Sequence, residues 1–283
     1  MLVPIDETNL ESVHALLARG FPSQQPSFWL EGLRRQADHH ARIQGGPVGQ
    51  ILRVRDQDVG IILTMRSRRI EPDGTTRDVV NLSSWYIDEA HRWLAPRMLK
   101  AVMSEAGTVY TDLTPSPSVV HLNGRLGLTV WTDGVLLAAL PLAALHYGSA
   151  AAQVVPLDQL ARDALPEAAR TVLEDHARFG CICVALSRGD RLWPVVFART
   201  RHKGLPGARV VYAPSKIELK ASIGAVARFL LGQGVISLEI PARRDEGVPG
   251  AWFSRLRPPT FTKGGVDAET IDHAYSEFVL LPF

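Results

Sequence analysis

The sequence predicts an α/β (α+β) protein of two units, each a mixed, mostly antiparallel sheet flanked by helices. Three observations carry this expectation. The segment Val79–Met98 passes from a β-branched run into an amphipathic helix; the succession strand, helix, three strands, helix, strand occurs twice; and 283 residues with 46% hydrophobic content are enough for real cores.

In the first half, a strand is expected at Leu2–Ile5, helices at Thr8–Arg19 and Ser27–Ala37, and strands at Gly49–Arg55, Val59–Arg69 and Arg77–Ile87. Asp56-Gln57-Asp58 and Glu71-Pro72-Asp73-Gly74 carry turn chemistry. At the junction, Val79, Val80, Leu82, Trp85 and Ile87 supply the bulk of a buried strand. Asp88 and Glu89 then stand where helix N-termini favour acidic groups, and Trp93, Leu94, Met98, Leu99 and Val102 share roughly one helical face. Such a junction directs backbone N–H groups and the positive end of a helix dipole to one place, which suits a phosphate. A strand at Thr108–Asp112, a helix at Ser116–Leu126 and a hairpin around Thr132-Asp133-Gly134 complete a unit of ordinary domain size.

His146–Gln153 has the composition of a linker, which divides the chain at 1–147 and 148–283. Beyond it the same order begins again: strand Val154–Leu157, helix Pro166–Phe179, a hairpin of Cys181–Ser187 with Leu192–Arg201, strand Arg209–Ala213, helix Ser215–Leu231 and strand Val235–Ile240. Ser215 is placed to cap its helix, with Glu218 as capping-box partner. The stretch from Pro241 to Gly265 is expected to be irregular and Tyr275–Leu281 to be a closing strand.

A net charge of +2 and the lack of a reader motif argue against a nucleic-acid partner. The N-terminus has no signal-peptide pattern and Gly134–His146 is too short to span a bilayer, so a cytoplasmic protein without a membrane span is expected. Cys181 and Cys183, at i and i+2 on one strand, suit core packing rather than a disulfide or a metal site. The basic runs Arg66-Ser67-Arg68-Arg69 and Arg199-Thr200-Arg201-His202-Lys203 are expected as edge-strand charge.

The junction resembles the cofactor strand, loop and helix of the GNAT acyltransferase superfamily, whose loop reads Q/R-x-x-G-x-G/A. Aligned on Arg92, this chain reads Arg92-Trp93-Leu94-Ala95-Pro96-Arg97, so the basic residue matches and both glycines are replaced. Arg125-Leu126-Gly127-Leu128 resembles the family's K-L-G-F ending, and Asn123 occupies the place of the tyrosine that often protonates the departing thiolate. The resemblance implies two GNAT-like units, the first binding the cofactor and the second degenerate. It implies direct acyl transfer from acyl-CoA, or from an acyl carrier protein with the same pantetheine arm, with no covalently bound cofactor and no metal. The acceptor would be an amine or hydroxyl on a small molecule or carbohydrate.

The resemblance also assigns residues. The backbone of Trp85 and Ile87 would meet the pantetheine; the N–H groups of Leu94, Ala95, Arg97 and Met98 would take the pyrophosphate, assisted by the side chains of Arg92 and Arg97. Candidate catalytic residues are Ser84, Asp112, His121 and Asn123. Ser83 and Ser84 are adjacent on a strand and should point to opposite faces, so only one is expected at the reaction centre. Asp112 either receives a proton or caps the turn through Pro115. A non-catalytic GNAT-like scaffold, or an acyl-CoA sensor, is the alternative.

Overall fold

The computed structural model describes residues 1–70, 74–146, 152–202 and 204–282. Residues 71–73 of the expected turn, 147–151 of the expected linker and Lys203 lie outside them. From the N-terminus, β1 (Leu2–Pro4) leads through a 3-10 turn (Glu7–Asn9) into α1 (Leu10–Gly20) and α2 (Pro26–Ile43). Asp6 caps the entry by accepting the Thr8 N–H at 2.8 Å. Both helices turn one face inward: α1 buries Val13, Leu16 and Leu17, while α2 buries Trp29, Leu33 and Gln36. The Gln36 amide donates to the carbonyls of Val48 at 2.7 Å and Thr64 at 2.9 Å, which is why a polar residue is accepted there.

β2 (Gly49–Val54), β3 (Gln57–Ile70) and β4 (Thr76–Ile87) form an antiparallel meander. A 3-10 helix (Glu89–Leu94) then precedes α3 (Ala95–Val102), β5 (Val109–Asp112), α4 (Pro117–Arg125) and β6 (Thr129–Thr132). Next come β7 (Gly134–Ala139), α5 (Leu140–Ala143), β8 (Gln153–Pro156) and α6 (Glu167–Arg178). β9 (Ile182–Arg188), β10 (Arg191–His202) and β11 (Leu205–Ala213) form a second meander, followed by α7 (Lys216–Ala221), α8 (Ile223–Gly232) and β12 (Ser237–Ala242). The chain closes with β13 (Ala251–Ser254), β14 (Thr260–Lys263), β15 (Ile271–Asp272) and α9 (Glu277–Leu280).

These elements make two compact units. The first comprises Met1–Thr129, Thr260–Gly265 and Tyr275–Phe283; the second comprises Val130–Pro259 and Val266–Ala274. The first unit's sheet runs β1-β2-β3-β4-β5-β14 and the second's runs β8-β9-β10-β11-β12-β7-β13. In both, the fourth and fifth strands pair in parallel and the first four are antiparallel. The division thus departs from the expected cut at 147/148, because each sheet takes its sixth strand from the other half of the sequence. β7 pairs with β12 and β13, so the hairpin expected at Thr132–Gly134 is not formed.

Other expectations are also corrected. The helix expected at Ser215–Leu231 is interrupted at Ser222, and the irregular stretch to Gly265 contains β13 and β14. Tyr275–Leu281 is not a strand: Ser276 accepts the Phe278 N–H and opens α9. The Ser215 hydroxyl does accept the Glu218 N–H, at 3.2 Å, but the Glu218 carboxylate pairs with Arg188 at 2.7 Å instead of closing a capping box. β3 and β10 are internal strands, so their arginines do not guard an edge. Arg66 and Arg68 instead pair with Asp78 on the neighbouring β4, at 3.0 and 3.2 Å.

In the second unit, α5 and α8 approach through Gly224, where an added Cβ would stand 1.9 Å from the His146 carbonyl oxygen. That oxygen is backbone and has no room to move aside. Gly224→Ala is expected to cost about 2–3 kcal/mol, read as a lowered urea midpoint with an unchanged slope.

Candidate functional site

β4 and β5 run parallel through Val79/Val109, Val80/Tyr110, Asn81/Thr111 and Leu82/Asp112, where β5 ends. β4 continues to Ile87 without a strand on that side, so the two part at Leu82 and Asp112. Just past this point β4 carries a bulge: Ile61 faces Tyr86 but Leu63 faces Ser83, so one extra residue of β4 is accommodated. Ser84 absorbs it in the left-handed region, at φ 49°. The bulge breaks the alternation that would have sent Ser83 and Ser84 to opposite faces. Their hydroxyl oxygens lie 3.2 Å apart, and both residues line a cavity of about 320 Å³.

Asp112 and Glu277 face the same cavity. Asp112 is 8% exposed; it accepts the Asn123 amide of α4 at 2.8 Å and a backbone N–H from Thr114. Burial outweighs these bonds and pushes its carboxyl up to about 6. Glu277, at the first position of α9, is 2% exposed. It accepts the Thr114 hydroxyl at 2.9 Å and the Asn81 amide, whose own oxygen accepts the Thr111 hydroxyl at 3.1 Å. Burial pushes Glu277 up to about 7, and the charge of Asp112 acts in the same direction. Two carboxyl groups with elevated proton affinity therefore share one cavity at the parting of two parallel strands.

The other candidate residues are placed as follows. Asn123 is fully buried and holds Asp112, whereas His121 is exposed on α4 and does not line the cavity. Trp85 lines the cavity and Ile87 packs into the core. After the strand, the chain does not leave an open loop. Arg92, Trp93 and Leu94 lie in the 3-10 helix, and the Ala95 N–H is used internally, donating to the Arg92 carbonyl. The expectation that Ala95 offers a free N–H is therefore corrected, since 3-10 bonding consumes it. Arg92 and Arg97 are exposed, and Met98 is a core residue at 2% exposure.

Sequence reasoning missed Glu277. Its available signals were Ser276 as a helix cap, Pro282 as a stop and a lone carboxylate directly before the apolar run Phe278-Val279-Leu280-Leu281.

The second unit differs at the equivalent place. Its parallel ladder ends at Arg209/Glu239, which are ion-paired at 3.2 Å and almost fully buried, with Arg257 also on Glu239 at 3.0 Å. Past that pair β11 is not open, because β15 runs antiparallel to it through Tyr212/Asp272 and Ala213/Ile271, and the backbone N–H of His273 donates to the Val211 carbonyl at 2.7 Å. Among the described residues, no group of His, Cys, Asp and Glu is arranged to hold a metal. No helix there is long and apolar enough to cross a membrane.

No protein-family model matches the chain, and no curated protein matches it in sequence. Solved structures do. A GCN5-related N-acetyltransferase from Anabaena variabilis is similar with a TM-score of 0.58 and 10% identity, over 93% of this chain and 72% of that one. Another from Kribbella flavida has a TM-score of 0.52 at 14% identity, over 93% and 70%. Eis1 from Mycobacterium abscessus has 0.51 at 14%, over 93% and 73%. At these identities the likeness establishes the fold, which is that of the GNAT acetyltransferases.

Proposed function

We propose that the protein transfers an acyl group from a thioester of coenzyme A, or of an acyl carrier protein, directly to an acceptor bound in the first unit. The observation that carries this is the Asp112–Glu277 pair in a cavity where β4 and β5 part. A thioester carbonyl entering that gap would meet the bulged backbone at Ser84 and Trp85, with a buried carboxylate beside it to take the acceptor's proton. In the balanced step the acceptor nitrogen or oxygen bonds to the carbonyl carbon and the C–S bond breaks. The acceptor's proton goes to Glu277 and is passed on to the departing thiolate, which leaves as the free thiol while the carboxylate is regenerated. Asp112 and Asn123 hold that carboxyl's surroundings, and Ser84 orients the substrate. His121 has no part in this scheme.

The donor's phosphates are assigned to the start of α3, with Arg92 and Arg97 as charged contacts. Arg92→Ala and Arg97→Ala should each weaken coenzyme A binding roughly five- to a hundredfold in calorimetric titration, leaving the fold intact. Unchanged affinity in both would move the donor elsewhere. The filled gap in the second unit predicts one coenzyme A per chain; two equivalent sites would contradict it. A thioester-binding module without turnover is the second reading, favoured by the consumed Ala95 N–H. Release of thiol from acetyl-CoA in the presence of an acceptor separates the two.

A further inference from the structure

The wall of the cavity contributed by the first two helices is aromatic. Phe21 follows α1, and Phe28 and Trp29 open α2. The Phe21 and Trp29 rings lie 5.3 Å apart, and the Phe28 and Trp29 rings meet edge-on at 4.9 Å. Leu281, just past α9, adds an aliphatic surface. The polar side-chain groups of the lining residues are hydroxyls, the Gln24 amide, the indole N–H groups of Trp29 and Trp85, and the two carboxyls. Among the described residues, no lysine, arginine or histidine lines the cavity.

An acceptor bearing a carboxylate or phosphate would bring its charge against Asp112 and Glu277 with no cation to answer it. A sugar would leave most of its hydroxyls against rings and methyl groups. A cavity of about 320 Å³ is at the small end of ligand sites, so an acceptor sharing it with the donor's thioester arm must be compact. An ammonium group matches the carboxyls, which also provide the proton sink that frees the nitrogen lone pair for attack, and an apolar ring or chain matches the far wall.

We infer that the acceptor is a primary amine carried on a compact apolar body, aromatic by preference, that bears no acidic group; the inference rests on the acyl-transfer reading above. Phe21, Phe28 and Trp29 then set specificity. The step is R–NH2 plus acyl-S-CoA giving the amide and coenzyme A thiol, so no oxidant or further reactant is needed.

The test compares three acceptors with one shared body, 2-phenylethylamine, phenylalanine and 2-phenylethanol. Each is given to the full chain with acetyl-CoA, following thiol release and confirming the product by mass. The expected kcat/KM for phenylethylamine exceeds the other two by about a hundredfold or more. Phe28→Ala should lower that value about tenfold while hardly changing kcat/KM for methylamine, which cannot reach the wall. Phenylalanine or phenylethanol used as well as the amine would overturn the inference, as would a Phe28→Ala loss equal for both amines. Titration of acetyl-CoA into the same samples separates the levels. Thioester binding with transfer only to other acceptors defeats the inference alone, whereas no thioester binding defeats the acyl-transfer reading and the inference with it.

Discussion

Glu277→Gln is expected to reduce turnover by about 10²–10³-fold while making the protein harder to unfold at pH 8. The two effects share a cause. Burial raises the Glu277 carboxyl to about 7, so the folded state holds its proton more tightly than the unfolded chain does. Well below pH 4.5 the group is protonated in both states and costs nothing. As pH rises from about 4.5 to about 7 the unfolded chain ionises this group while the folded state keeps its proton, so stability falls by roughly 3 kcal/mol and levels off above that. Glutamine removes that penalty, and the Thr114 hydroxyl, which can donate or accept, is able to turn toward the new amide. Denaturant unfolding of both proteins at pH 5 and pH 8 reads the prediction: the variant's advantage should grow with pH. In the wild type, kcat should rise with pH through the same region as the base ionises. An unfolding difference independent of pH would place the carboxyl in ordinary solvent.

Asn123→Leu should act in the opposite sense. The Asn123 amide stabilises ionised Asp112 and holds its carboxyl below where burial alone would put it. Leucine leaves that carboxylate with the Thr114 backbone N–H, so its proton affinity rises further above about 6. The loss of stability should be about 1–3 kcal/mol at pH 8, where the group must be charged, and smaller at pH 5, where it carries a proton. The rising limb of the pH–rate profile, set by Glu277, should move to lower pH, since an Asp112 that stays protonated no longer raises its neighbour's proton affinity. A limb that does not move would detach Asp112 from the reaction.

Much of the frame was legible in the chain because its cause is local. The β-branched run through Ile87, the period change after it and the repeated succession of elements are written in neighbouring residues. Asp112 and Asn123 were reachable for the same reason, lying at the ends of adjacent elements. The bulge was not, since Ser84 takes a left-handed conformation without the glycine that would announce it. Nor was the 3-10 helix, whose Pro96 and amphipathic face resemble an ordinary helix start. Glu277 was the furthest from view. It meets Asn81 across a sequence separation of 196 residues, and nothing near either residue encodes the meeting. The exchanged sixth strands were hidden likewise, because β7 and β14 satisfy period-two patterning equally well in either sheet.

Because β14 and Tyr275–Pro282 return to the first unit after the second has been spelled out, the ribosome cannot finish that unit when it has finished its first 129 residues. The nascent sheet must wait, with the outer edge of β5 uncovered and the cavity lacking one of its carboxyls, while the following segment is made. A nascent chain of that length would be a poor enzyme and, with an open strand edge, a candidate for chaperone care. The same wiring forbids a simple cut between the units: a fragment ending near Thr129 would have to be supplied with the tail in trans. Selection on the activity of one unit is therefore also selection on the foldability of the other.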